Sequence, residues 1–178
     1  SVFQAVTPRT AGFNTADLNK MSDAGRSVMM LLMLIGGSPG STAGGMKTTT
    51  IAVLFANAIA VFRKRQNANC YGRRIDDSTV KNASAILFMY VFFSMLSAII
   101  ISITDGISMQ MGMFETFSAI GTVGLTLGIT PTLSAVSRFV LILLMFFGRV
   151  GGLTIIYAAF SQKDASTLKY PMENITVG

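Results

Sequence analysis

The chain carries one element twice. A shift of 112 residues lays Thr10-Ala11-Gly12-Phe13 on Thr122-Val123-Gly124-Leu125, and the match runs without a gap from residue 10 to residue 42. Ser22 falls on Ser134, Arg26 on Arg138, Leu31-Leu32-Met33 on Leu143-Leu144-Met145, Gly36 on Gly148, Gly40 on Gly152 and Thr42 on Thr154. An internal repeat fixes the architectural unit of a fold. Here the unit is a short glycine-centred loop feeding an apolar helix, and any fold must house two copies of it.

Only 12% of the residues are charged and 51% are hydrophobic, with a mean hydropathy of +0.59. Soluble domains carry about 25% charged residues, so this is a membrane composition. The stretch Ser84 to Thr104 has 21 residues and no charge, and about 20 apolar residues span the hydrocarbon core as a helix. Val136 to Phe160 reads as a second span, interrupted by Arg149 and a glycine patch. Val28 to Phe62 reads as a third, broken between Gly36 and Gly45.

The net charge of +6 is concentrated in Arg63, Lys64, Arg65, Arg73, Arg74 and Lys81. In a membrane protein a short basic loop is cytoplasmic rather than a nucleic-acid surface, so no nucleic acid is expected. The broken span then ends inside, the next helix runs outward to Asp105, and the last returns inward toward Lys163 and Lys169. Both glycine-centred loops face the outer side. Cys70, the single cysteine, sits in the basic loop and has no intramolecular partner for a disulfide; histidine is absent, which removes the usual general base and metal ligand.

The second copy shows the whole unit. An outward helix (about Val80 to Ile103) is followed by a turn at Thr104-Asp105-Gly106. Met109 to Ile120 is too short to span and reads as a re-entrant pore helix. A loop at Thr122 to Gly128, a break at Pro131 and an inward helix over about Leu133 to Phe160 complete it. The first copy lacks its outward helix, there is no initiator Met, and residues 1 to 9 hold only the end of a pore helix. The chain is therefore expected to be the C-terminal part of something longer. The polar tail, Asp164 to Gly178, lies on the cytoplasmic side or against a partner.

Thr122-Val123-Gly124 echoes the start of potassium-channel filters, where backbone carbonyls replace the ion's hydration shell. Glycine supplies the positive φ such a loop needs. One copy alone could be an ordinary turn; two in register, each behind a short helix, point to a filter. Phe13-Asn14 and Leu125-Thr126 follow the glycines, so a shorter filter than the full channel type is expected.

Gly36-Gly37-Ser38-Pro39-Gly40-Ser41-Thr42-Ala43-Gly44-Gly45 interrupts an apolar span, and glycines with a proline cannot continue a regular helix. Close helix packing would account for the fourfold spacing of Gly36, Gly40 and Gly44, but not for Pro39. A flexible loop inside the membrane is the better reading, because such backbone needs a cavity. The same segment nearly reads as a phosphate loop, with Gly40 and Gly45 followed by Met46-Lys47-Thr48, Val28 to Ile35 as its strand and Ile99 to Asp105 as a second nucleotide motif. Met46 occupies the position where the lysine belongs, so a nucleotide-binding protein is the weaker alternative; a membrane scaffold without ion flux is a third. Arg149, which falls on Gly37, is an arginine within a span and a functional residue by default, the bland alternative being a snorkelling side chain. It is suited to donate to loop carbonyls or to Ser38, Ser41 and Thr42. Lys47 opens the helix Thr48 to Phe62 and reaches toward a cavity.

These elements together resemble the Trk/Ktr/HKT superfamily of potassium transporters, most closely the Ktr membrane subunit. The resemblance rests on Thr10 to Thr15, Gly36 to Thr50, Thr122 to Thr126 and Phe147 to Gly152. It implies an all-α membrane protein of helix, pore-helix, filter and helix repeats, as in potassium channels. Residues 1–66 would be the third pore repeat, 67–82 a cytoplasmic basic loop, 83–162 the fourth repeat and 163–178 a cytoplasmic tail. It further implies K⁺ uptake, not enzyme catalysis. The ion would bind carbonyls of Thr10, Ala11, Gly12, Thr122, Val123 and Gly124, Gly36 to Gly45 would gate, and Arg149 would latch the gate. No cofactor is expected on this chain; K⁺ is the substrate and Na⁺ a candidate coupling ion or, in a Na⁺-permeable member, a permeant one. Expected partners are the first two repeats, a second copy in a homodimer, a cytosolic nucleotide-binding regulatory subunit and the lipid bilayer. The expected location is the bacterial plasma membrane, crossed several times.

Overall fold

A computed structural model describes residues 2–14, 17–41, 43–65, 67–70 and 73–151. Thr15, Thr42, the inward helix beyond Gly151 and the tail, with Lys163 and Lys169, lie outside the described residues. Within them the chain is mostly helical, with almost no sheet. The helices are α1 (Val2–Val6), α2 (Asp23–Leu34), α3 (Thr48–Phe62), α4 (Asp77–Asp105), α5 (Met109–Ile120) and α6 (Ala135–Val150). Two antiparallel two-residue strands, β1 (Asn69–Cys70) and β2 (Arg73–Arg74), lie between α3 and α4.

The repeat is visible in how the helices begin. Ser22 caps α2 by accepting from the Gly25 N–H at 3.2 Å, and Ser134, its counterpart, caps α6 by accepting from the Ser137 N–H at 3.3 Å. Each satisfies one of the orphan donors at a helix start. Asp105, at the end of α4, also accepts from the Ser134 N–H at 2.8 Å and so ties the two long helices together at one end.

α4 has 29 residues and is, among the described residues, the one helix long and apolar enough to cross a bilayer. It starts at Asp77, where Asp76 has extended N-cap geometry and Asp77 suits the positive end of the helix dipole. Its buried face carries small residues, including Ser94, Ser97 and Ala98. That face lets α5 come close: a Cβ on Gly112 would stand 3.2 Å from the Ala98 carbonyl oxygen. Small residues are what permit such approach between helices in lipid. On the other side a Cβ on Gly148 of α6 would collide with the Ile120 carbonyl at the end of α5.

The 12-residue α5 is thus the centre of the structure, with Phe114, Glu115, Thr116, Ser118, Ala119 and Ile120 all buried. One apolar cluster joins it to α4 and α6 through Tyr90, Ile101, Leu141 and Leu144. A second, rich in methionine, joins it to α2 through Met29, Met30, Met33, Val123 and Leu125. The outward faces keep Leu31, Phe55, Phe88, Phe92, Phe139, Ile142 and Phe146 exposed. So much exposed apolar surface suits lipid or protein contact rather than water.

The interrupted span is real as an interruption. Helix α2 ends at Leu34 and α3 begins at Thr48. Val28 to Leu34 is helical, as is Ile99 to Asp105, so the strands that a phosphate loop would require are absent there and the nucleotide reading falls.

Candidate functional site

Residues Thr10 to Gly12 and Thr122 to Gly124 share an unusual backbone. Thr10 has φ 65° and Thr122 φ 51°, while Gly12 has φ 71° and Gly124 φ 87°. Positive φ is a genuine outlier for a β-branched residue, and its appearance at equivalent positions of both copies marks a shared, imposed geometry. In an ordinary strand successive peptides face opposite sides. Left-handed residues at alternate positions break that alternation and allow neighbouring carbonyls to turn the same way. Helix ends hold the loops in place. The Thr7 carbonyl accepts from the N–H groups of Ala11 (3.2 Å) and Gly12 (3.1 Å), and the Ser118 carbonyl accepts from Val123 N–H at 2.9 Å.

The two loops meet. A Cβ on Gly12 would strike the Val123 carbonyl oxygen and lie 3.9 Å from the Gly124 Cα. The glycine is therefore needed twice, for its φ and for this contact. Glycines 112 positions apart in sequence, Gly12 and Gly124, are thereby brought side by side.

The loop between α2 and α3 closes on itself. Gly36 N–H donates to Met46 O at 2.7 Å, Met46 N–H to Leu34 O at 3.1 Å and Thr48 N–H to Gly37 O at 3.2 Å. Ile35 and Met46 form a parallel bridge. Ends that meet in this way define a compact loop rather than an open linker. Its tip is a turn, with Ser41 N–H on Ser38 O at 3.1 Å and Gly40 at φ 83°; Pro39 and Gly40 are the residues such a turn prefers. Lys47 folds back over it, its Nζ donating to Ala43 O at 2.6 Å and Ser41 O at 3.2 Å.

This loop leans on the second Thr-x-Gly loop. The Gly44 N–H donates to Thr122 Oγ1 at 3.2 Å, and a Cβ on Gly44 would overlap the Thr122 side chain. Gly45 packs 3.4 Å from the Gly121 Cα, measured from an added Cβ. Of the ten residues Gly36 to Gly45, all but Thr42 are described. Arg149, on the last turn of α6, lines a cavity of about 730 Å³ that it shares with Glu115, Ser118, Thr122 and Gly124. Phe13 is exposed and Leu125 buried, while Asn14 and Thr126 lie just beyond the glycines.

Glu115 is absent from the sequence-based set. It sits on α5, only 5% exposed. Its Oε1 accepts from Thr126 Oγ1 at 2.6 Å and from Leu127 N–H at 3.1 Å, and its Oε2 accepts from Thr130 Oγ1 at 3.0 Å. One signal could have found it: Glu115 is the single charged residue of α5 and falls on Phe3 in the other copy.

Residues 1–168 match the TrkH family, described as a cation transport protein. The potassium/sodium uptake protein NtpJ of Enterococcus hirae is 40% identical over 182 residues, covering 99% of this chain and 40% of that protein. A Ktr system potassium uptake protein B of Bacillus subtilis is 38% identical over all of this chain and 40% of its own length. Its namesake in Vibrio alginolyticus is 34% identical over 99% of this chain and 38% of its own. The chain thus spans about two fifths of the curated relatives that it matches.

Proposed function

The chain belongs to the TrkH family of cation transport proteins, a membrane family and not one of enzymes, and we propose that it supplies part of a K⁺ uptake pathway. The observation that carries this reading is the abutment of Gly12 on the Val123 carbonyl, with the same φ pattern in both loops. Carbonyls of Thr10, Ala11, Gly12, Thr122, Val123 and Gly124 line the ion's path and replace its water. The chain contributes the third and fourth of four repeats (residues 1–66 and 83–162), which the length of the relatives supports. Two further repeats complete the ring. The protein crosses the plasma membrane several times, acts as a homodimer with a cytosolic nucleotide-binding subunit, and uses K⁺ as substrate with Na⁺ as a coupling or competing ion.

The loop Gly36 to Gly45 is the gate. Its support is the hydrogen bond from Gly44 to Thr122, which seats the loop directly against the filter. Lys47 holds the closed loop through two carbonyls, and Arg149, the proposed latch, lines a cavity with Thr122, the residue on which Gly44 rests.

The test is selectivity. In the full-length protein, expressed in cells stripped of their own K⁺ uptake, Gly12→Ser and Gly124→Ser should each lower K⁺ uptake relative to Na⁺. Unchanged K⁺/Na⁺ discrimination in both variants counts against the filter.

A further inference from the structure

We infer that Glu115 is a positioning residue for the filter, holding the segment just beyond it through both carboxylate oxygens. This rests on reading Thr122 to Gly124 as filter backbone. Gly124 is followed by Leu125, Thr126 and Leu127, a stretch outside any helix that needs side-chain partners to fix it. Glu115 does. One oxygen takes the Leu127 N–H and the Thr126 hydroxyl, the other the Thr130 hydroxyl. The two hydroxyls stand 2.9 Å apart, and Thr126 Oγ1 in turn accepts from Gly128 N–H at 2.9 Å. The next peptide is held too, because Asn19 Nδ2 of the first copy donates to the Leu127 carbonyl at 3.3 Å.

The first copy solves the same problem differently. Its counterpart to Glu115 is Phe3, and there the buried Thr7 hydroxyl donates to the Phe13 carbonyl at 2.5 Å. Each filter loop is therefore fixed beyond its glycine by one buried polar side chain that precedes it, Thr7 just after α1 in one copy and Glu115 on α5 in the other. A buried acceptor that orders a loop is expensive to remove, since its donors are left unpaired away from water.

Removing the carboxylate should loosen Val123 and Gly124 without touching them. Glutamine can replace it. Its amide would donate to Thr130, Thr130 to Thr126, and Thr126 with Leu127 N–H to the amide oxygen, which leaves each former partner of the carboxylate paired.

The experiment compares Glu115→Ala, Glu115→Gln and Gly124→Ser in the full-length protein, with K⁺ and Na⁺ uptake and hydrogen exchange of the 125–130 segment measured together. Glu115→Ala should lower K⁺/Na⁺ discrimination roughly tenfold, about what one hydrogen bond to a charged group is worth, and speed exchange at Leu127. Glu115→Gln should stay close to wild type in both. If Glu115→Ala does not assemble, Thr130→Val removes a single donor and should give a smaller loss in the same direction. Wild-type selectivity in Glu115→Ala, or in Thr130→Val where that stands in, overturns the assignment. So does a glutamine variant as impaired as the alanine one. Altered selectivity in Gly124→Ser beside unaltered selectivity in Glu115→Ala sinks this inference alone; unaltered selectivity in Gly124→Ser sinks the filter reading beneath it.

Discussion

At Gly44 one missing methyl group decides whether the loop can rest on Thr122. Its amide reaches Thr122 Oγ1, and a Cβ there would overlap the Thr122 side chain. Overpacking of this kind costs about 1–3 kcal/mol, and because the loop is tied to the second copy by the single bond from Gly44 among those described, the cost is met by its displacement from Thr122. Gly44→Ala should therefore raise resting K⁺ flux several-fold at unchanged expression, read by tracer uptake; flux at the wild-type level would contradict the seating of the loop. Gly12 and Gly124 were legible because the sequence repeats them and no other residue takes their φ readily. Glu115 was not. Its partners arrive from 11 to 15 residues downstream by way of an irregular loop, and the repeat, which guided the reading elsewhere, has Phe3 at that place.

Among the elements, the break between α2 and α3 was readable from composition, since Pro39 and the surrounding glycines exclude a helix. Helices α3 and α5 begin and end where the pattern places them, at Thr48–Phe62 and Met109–Ile120. What composition cannot reveal is how the break closes. The Ile35–Met46 bridge and the bond from Gly36 to Met46 pair backbone groups, which have no side-chain signature. Nor does it reveal that Lys47 turns back onto Ala43 and Ser41 rather than outward. Lys47→Met keeps the length of the side chain and removes its donors. Under the gating proposal this variant should increase K⁺ flux and the hydrogen exchange of residues 38–44, without altering K⁺/Na⁺ discrimination. A change in discrimination with no change in flux would place Lys47 at the filter instead.

For the molecule as a whole, the repeat carries more weight than any single motif. It sets α5 behind one loop and α1 behind the other, and it brings Gly12 against Val123. Membership of a cation transport family agrees with that unit, and relatives more than twice as long leave room for further copies of it. The copies differ at Gly37 and Arg149, at Phe3 and Glu115, and at Thr7 and Ala119. The proposed division of labour follows those differences, with gating on one repeat and a carboxylate brace on the other. The central claim is that the two Thr-x-Gly loops bind the permeating ion with their carbonyls. Anomalous diffraction from the full-length protein with Rb⁺ or Tl⁺ in place of K⁺ tests it most directly. Ion density is expected between the 10–12 and 122–124 backbones and should be lost in Gly124→Ser; ordered ions elsewhere in the membrane region, with none beside these carbonyls, would overturn that role.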